Sequence, residues 1–398
     1  MIWHWVVWLW IVEAWVVALL WLWRGVEAAI GLPKVPDLLG AEFDDAAATG
    51  PSLTVVVPAL NEEAAVGECL ESLLAQEYKS LRIVAVNDRS TDGTGAVMDR
   101  LAEKHPERLT VMHIEELPPG WLGKTHAMAK AATLEPKSEF LLFTDADILF
   151  RKDALRRSMA FAMRSEADHL VTLPTLILKR WDEAALIGFF EVCSLWAARP
   201  WKVSDARAKR DAVGVGAFNL LRREAYEAVG GFEALRMEII EDLGIARRIR
   251  RAGLRQRVAF GRDLVNVHWA AGAMGVVNVL TKNMFSAFGF RMGLLLIACG
   301  WLAGFYVLPT VAIGASFWLP NLLLPGALTV LAMTAAYRAM GRHSGISIWN
   351  VVLAPFAGLL LIYTLLQSMV TTLKQGGVVW RGTFYSLKEL REHVAPLW

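Results

Sequence analysis

The chain opens on an almost unbroken apolar run, MIWHWVVWLWIVEAWVVALLWLW, and turns polar only at Arg24. Roughly twenty apolar residues span a bilayer, so residues 1–24 predict an N-terminal transmembrane helix. The run lacks the basic start and small-residue cleavage site of a signal peptide, which marks it as retained. Glu13 in its middle is costly in lipid and is expected to face protein or water. An acidic stretch punctuated by Pro and Gly, residues 25–51, reads as a linker.

From residue 52 the period changes. SLTVVVP, LRIVAVN, LTVMHI and FLLFTDAD are short β-rich runs separated by helical stretches, about 62–76 and 94–104 among them. Strands alternating with helices at this pace predict βαβ units and a mostly parallel, Rossmann-like sheet over residues 52–270. Ligands of such sheets bind beyond the carboxyl ends of the strands, where Pro58, Asp88 and Asp145 fall. Two apolar segments with scattered polar residues, 184–198 and 271–291, are too short or mixed to span. Each is a candidate for a helix in the membrane interface, a buried core helix being the alternative.

Residues 292–373 carry three further apolar runs, which predict a cluster of about three C-terminal transmembrane helices. Pro309, Pro325 and Pro355 are tolerable there if the helices pack on neighbours. A basic tail, 374–398, closes the chain. With the α/β domain in the cytosol, three C-terminal crossings would leave that tail outside. Either it is external, or one run is re-entrant or split.

Composition supports this division. The chain of 398 residues is 55% hydrophobic, with a mean hydropathy of +0.38, above the usual 45–50% apolar content of soluble domains. A net charge of +2 gives no reason to expect a nucleic-acid partner. Cys69, Cys193 and Cys299 are widely spaced and odd in number, so they suit buried thiols in a reduced, cytosol-facing domain. An aromatic belt at the membrane boundary accounts for the 17 tryptophans.

The candidate chemistry lies in the acids. NDRSTDGT supplies Asp88 and Asp92, TDAD supplies Asp145 and Asp147, and MEIIEDLGIARR supplies Glu241 and Asp242. Singly each is weak: an Asp-x-Asp arises by chance, Asp92 suits a helix cap, and Glu241–Asp242 suits a helix start. Their order and strand-end positions strengthen the signal. Two carboxylates on a short turn suit Mg²⁺ or Mn²⁺, whose shell is filled by phosphate oxygens and water. Such an ion offsets the charge that grows on a leaving diphosphate. Lys124 in WLGKTHAM is placed to add a second positive charge. Asp242 is then a separate carboxylate to take the proton of an attacking hydroxyl. Gly214 and Gly216 permit close backbone approach to a substrate, tight turns being the alternative.

In these residues the chain resembles the inverting family 2 glycosyltransferases with the GT-A fold. VVVPALNEE, NDRSTDGT, GK, TDAD, the GxG…RREAYEAVGGF segment and the ED pair occur in that family's order between about residues 52 and 251. The helix arrangement is similar to the ceramide glucosyltransferase branch, and VVWRGTFYSLKELR to the tail of hopanoid- and carotenoid-associated glycosyltransferases. The resemblance implies a nucleotide pocket lined by Pro58, Ala59 and Glu62, with Asp88 at the uracil and Lys124 near the diphosphate. It implies Asp145 on the ribose or phosphate side, Asp147 on the metal and Asp242 as catalytic base, with Gly214, Gly216 and Glu241 on the acceptor side. His268 falls where some GT-A enzymes place a metal ligand, against a plain interface histidine. No Q/R-x-x-R-W motif follows the base, and TKNMF stands in its place, so polymer synthesis is not expected.

The expected protein is therefore an integral protein of the bacterial inner membrane with a cytoplasmic catalytic domain. It would move one sugar from a UDP-sugar to a lipid hydroxyl. A polyprenyl-phosphate glycosyltransferase, or an anchored nucleotide-binding scaffold with a decayed site, are the competing readings.

Overall fold

The computed structural model describes residues 2–208 and 210–393, so the last residues of the basic tail, 394–398, lie outside it. The first apolar run forms α1 (Ile2–Gly31), which continues past the expected end at 24. Arg24 is tolerated inside it because Glu27 pairs with its Nη1 at 2.7 Å and the Trp196 ring faces its guanidinium at 4.9 Å. Glu13 faces Gly304 of a neighbouring helix, as its cost in lipid requires.

The stretch expected as a linker is fastened down. Leu32, Val35, Leu38 and Phe43 are buried. Leu38 N–H donates to Phe260 O at 3.0 Å, Phe260 N–H donates to Pro36 O at 2.8 Å, and Arg157 reaches Leu38 O at 3.1 Å. The apolar spacing within this Pro/Gly-rich sequence, rather than its breakers, decided the outcome.

The α/β domain runs β1 (Leu53–Ala59), α2 (Val66–Leu74), β2 (Leu81–Asp88), α3 (Thr94–Lys104), β3 (Leu109–Ile114), α4 (Gly123–Ala131), β4 (Phe140–Phe143) and β5 (Leu149–Phe150). It continues through α5 (Ala154–Arg164), β6 (His169–Leu176), α6 (Trp181–Ala197), β7 (Asn219–Arg222), α7 (Arg223–Ala228), α8 (Glu241–Arg251) and β8 (Gln256–Val267). One sheet takes the order β3-β2-β1-β4-β7-β6-β8-β5. Its first four strands are the expected parallel run, β1 buried along its whole length. The second half makes the sheet mixed, because β7 enters antiparallel between β4 and β6 and β5 lies antiparallel to β8. A four-residue apolar strand such as NLLR carries no directional signal, so only its partners fix its sense. One face packs on α2, α3 and α5, the other on α4, α7 and α8.

The rest of the chain forms α9 (Gly272–Thr281), α10 (Met284–Ala287), α11 (Met292–Leu302), α12 (Leu308–Ala315), α13 (Leu323–Ser344), α14 (Ala354–Gln375), the hairpin β9 (Gly377–Trp380) and β10 (Thr383–Ser386), and α15 (Leu387–His393). Among the described residues, four helical segments, Trp3–Lys34, Met292–Ala315, Pro320–Ser344 and Ile348–Gln375, are long and apolar enough to cross a membrane. Pro309 is absorbed by a π turn at Ala303–Val307 just ahead of it, which loosens the hydrogen-bond ladder where proline offers no donor.

Segment 184–198 falls on α6, which is covered rather than laid on a surface. Leu186, Ile187, Phe189, Val192 and Leu195 are buried where the α/β domain meets the apolar helices. The tryptophans divide accordingly. Trp3, Trp5, Trp8 and Trp23 are exposed, whereas Trp21 is buried edge-on to Trp196 and Tyr306, with ring centroids 5.2 and 5.3 Å apart. Trp21 Nε1 donates to Phe305 O at 3.1 Å. A belt alone does not account for them.

The C-terminal helices start and end in telling places. At the end of α13, the His343 ring stacks on Phe260 of β8 with centroids 4.0 Å apart, and Arg262 Nη1 donates to Arg342 O at 3.3 Å. Just before α14, Asn350 Nδ2 donates to Ala184 O of α6 at 3.0 Å. After α14, the β9–β10 hairpin packs on the α/β domain, where Arg89 Nη1 donates to Thr383 Oγ1 at 3.4 Å. The tail up to His393 therefore lies beside the α/β domain.

Candidate active site

The carboxyl ends of β1, β2 and β4 are tied into one rim. Asn61 adopts a left-handed conformation (φ 58°), and its side chain accepts from Thr91 N–H at 2.8 Å. Asn61 N–H donates to Ser90 Oγ at 3.0 Å, and Glu62 N–H to Thr94 Oγ1 at 2.8 Å. Asp92 accepts from Thr94 N–H at 3.0 Å, the capping role open to it from sequence. Pro58 and Ala59 are buried at the end of β1 beside Val86 and Asn87. They shape the rim through backbone rather than through polar side chains.

Asp88 is fully buried, and both its oxygens are taken. Arg89, with φ 59°, turns back to donate from Nε at 2.8 Å to Oδ1 and from Nη2 at 3.0 Å to Oδ2. A β-carbon on Gly123 would overlap both partners, so this glycine lets α4 start against the pair. Arg89 was not among the expected residues, although it adjoins one.

Lys124, on the first turn of α4, is the hub. Its Nζ lies 2.6 Å from Asp145 Oδ1 and 2.6 Å from Glu241 Oε1. Burial alone would lower the ammonium, but Asp145 and Glu241 more than reverse that and hold it above its ordinary value. Burial likewise works to raise Asp145, and the adjacent ammonium overrides it, so this carboxyl stays below its ordinary value. Asp147 has no such partner. Burial, then the charge of Asp145, push it up. Glu62 is raised too, by burial and then by Asp147.

The residues expected on the acceptor side gather around the acids themselves. A β-carbon on Gly214 would overlap the backbone of Asp242, and one on Gly216 would stand 2.5 Å from Asp145 Oδ2. The space at Gly214 is thus filled by the backbone of α8, whereas Gly216 lies against Asp145 at the cavity wall. Glu241 is buried and spent on Lys124. Asp242 lies on the first turn of α8, and its Oδ1 accepts from Leu243 N–H at 2.7 Å. Burial, then the charge of Glu241, push its carboxyl up to about 6. Lys124, Thr144, Asp145, Gly216, Glu241 and Asp242 line one small cavity.

His268 lies elsewhere. Its Nε2 is 3.6 Å from Glu183 Oε2, and Glu183 also accepts from Gly272 N–H at 2.8 Å, joining the starts of α6 and α9. That is a junction histidine. Among the described residues no group of three or more His, Cys, Asp or Glu side chains forms a ready-made metal cage.

The geometry comprises a strand-end rim, a lysine-bridged acid pair, a second carboxyl with raised affinity for protons and a separate helix-borne carboxyl. A mannosyltransferase from Pyrobaculum calidifontis, PcManGT, solved in complex with GDP-Man and Mn²⁺, superposes with a TM-score of 0.52 at 20% identity, over 91% of this chain and 96% of that one. The fold is GT-A. A family model described as "Glycosyltransferase like family 2" matches residues 51–266, more than half of the chain, and the chain belongs to that family. The 4,4'-diaponeurosporenoate glycosyltransferases of Staphylococcus aureus are similar along almost the whole chain. The enzyme of strain bovine RF122 / ET3-1 is 27% identical over 350 residues, 85% of this chain and 89% of that protein. The one from strain MRSA252 is 26% identical over the same shares.

Proposed function

We propose that this glycosyltransferase moves a single sugar from a UDP-sugar to a hydroxyl of a membrane lipid, with inversion and with Asp242 as general base. One observation carries the reading. Around a single cavity, one carboxyl (Asp145) is held charged by Lys124, while another (Asp242) is shifted towards neutrality to about 6. Acids driven apart in this way suit separate roles, one in binding and one in proton transfer. The carotenoid-glycosylating relatives support an amphiphilic acceptor, and the four apolar segments support a membrane location.

The acids fit a hard divalent ion. Asp147 and Glu62 are raised by burial and by neighbouring carboxylates, and a cation would relieve that repulsion. Asp147 would hold Mg²⁺ or Mn²⁺, which when bound offsets charge on the leaving diphosphate. The chain's own contributions are distinct from this. Lys124 and the rim orient the donor, and Asp242 takes the proton of the acceptor hydroxyl.

Three crossings are proposed, by α1, by α11–α12 and by α13, with α14 beginning and ending on the cytoplasmic side of the bacterial inner membrane. The contacts of Asn350 with α6 and of Thr383 with Arg89 support this, since both ends of α14 abut the α/β domain.

The test is nucleoside-diphosphate release by detergent-purified protein, with UDP-glucose, UDP-GlcNAc, UDP-galactose or UDP-glucuronate, with Mn²⁺, Mg²⁺ or EDTA, and with or without membrane lipid extract. Release that needs metal, rises with lipid and vanishes in Asp242→Asn is the expected result. Full turnover in Asp242→Asn would instead indicate an acceptor already anionic, such as a polyprenyl phosphate, which needs no base. Absence of release with every donor would overturn the UDP-sugar reading.

A further inference from the structure

The C-terminal hairpin brings a residue from the far end of the chain to the acid cluster. Strands β9 and β10 pair antiparallel, with Trp380 opposite Thr383, so Arg381 and Gly382 form the two-residue turn. Both have positive φ, 48° and 77°, as a type I′ turn requires. Such a turn favours Asn-Gly, because a long side chain has no conformational reason to sit in the left-handed region. Arginine at this position is therefore a local cost with no local return.

The tip is held from both sides. Val378, Tyr385 and Leu390 are buried against the apolar helices, Leu387 N–H donates to Gly376 O at 2.8 Å, and Arg391 Nη2 donates to Phe290 O at 3.1 Å. On the rim side Thr383 accepts from Arg89, which itself grips Asp88. So placed, Arg381 exerts its charge on Glu62, Lys124, Asp145 and Asp147 alike. Its Nη1 is buried and makes no hydrogen bond. A buried guanidinium N–H left without an acceptor loses its hydration without replacement, and it fits a ligand that brings an oxygen of its own.

We propose that Arg381 is a donor-binding residue, a guanidinium carried on the hairpin that donates to the diphosphate oxygens of the nucleotide sugar. This rests on the nucleotide-sugar reading above. Planar, multiple donors suit phosphate oxygens, and a second cation close enough to act on Lys124 would give the diphosphate two positive groups to meet. The relevant portion of the tail then belongs to the active site rather than to the membrane region.

The experiment is a direct binding titration, by calorimetry on the full-length protein in detergent with metal present, using UDP, GDP, inorganic pyrophosphate and uridine as probes. The variants are Arg381→Ala, Arg381→Lys and Arg381→Gly. Glycine suits the turn better than arginine, so Arg381→Gly keeps the hairpin while removing the cation. A charged hydrogen bond of this kind corresponds to about 10- to 100-fold in affinity. The expected result is a loss of that size for UDP and pyrophosphate in the alanine and glycine variants, partial recovery in lysine and unchanged uridine binding. Wild-type affinity for the diphosphate probes in Arg381→Gly would overturn the assignment and leave the donor reading standing. An equal loss for uridine would also overturn it, since only a collapsed rim does that. If the wild-type protein binds no diphosphate probe, the donor reading falls and the assignment with it.

Discussion

Gly214 and Asp242 touch through their backbones: a β-carbon on the glycine would overlap the carbonyl oxygen of the proposed base. The loop before β7 therefore fixes the start of α8, and with it the position of the carboxyl. Gly214→Ala must displace one or the other. Overpacking of this kind costs about 1–3 kcal/mol, and a shift of roughly 1 Å at a catalytic group lowers turnover by about 10²-fold. Gly293→Ala is the control, since no atom stands within 4 Å of its β-carbon position. Thermal unfolding and turnover measured on both variants check this. Full activity in Gly214→Ala would mean that the position of α8 is not critical.

The raised carboxyl of Asp242 has two consequences with pH. As a base it must be ionised, so kcat/KM should fall as pH drops through about 6. Its effect on stability has the opposite slope. The folded state holds the proton more tightly than the unfolded chain, whose aspartate titrates near 4, so stability falls as pH rises between those values. Asp242→Asn should abolish turnover, yet raise stability above pH 6 by roughly 3 kcal/mol. The difference should vanish below pH 4. Thermal unfolding across that range decides it, and an asparagine variant less stable than wild type at pH 8 would contradict the argument.

Lys124 neutralises two buried carboxylates at once. Lys124→Met strands both and should destabilise by about 3–5 kcal/mol, the usual cost of breaking a buried pair from one side. Adding Glu241→Gln removes one stranded charge, so the double variant should recover part of the loss while remaining inactive. Additive losses in a double-mutant cycle would show that the two side chains do not interact.

The hairpin anchoring predicts the side on which the tail lies. A single cysteine replacing Lys388, which is exposed on α15, should react with a membrane-impermeant maleimide only after the cytoplasmic face is opened. The native cysteines are free, so the experiment requires their prior replacement. Labelling in intact cells would place the tail outside and detach it from the site.

Much of this protein is written locally. The run up to Trp23 is apolar whatever surrounds it, and the alternation of LTVVVPA with helix-period segments makes an α/β sheet the economical solution. Asp145, Asp147 and Lys124 stand out from sequence as candidates because strand ends are where such sheets gather polar loops, and Asp242 because an acidic pair opens a helix. What sequence could not decide were matters of partnership. Whether Asp88 is free or gripped by Arg89, whether Gly214 makes room for a ligand or for α8, and whether His268 meets a metal or Glu183 depend on side chains far apart in the chain. The sense of β7 and the burial of α6 are of the same kind, because short apolar segments suit more than one neighbour.

Arg381 shows the division most plainly. V-V-W and T-F-Y flank an Arg-Gly pair, which is not among the favoured two-residue hairpin turns, so from local chemistry the stretch reads only as part of a basic tail. That a hairpin forms there and that the charge of Arg381 acts on Glu62 and Asp147, more than two hundred residues earlier, follows only once α14 has carried the chain back to the α/β domain. Backbone propensity and hydrophobic period act over a few residues, so the sequence alone determined the elements and the kinds of chemistry present. Electrostatics and packing act through space, so the tertiary structure alone decided which charges meet.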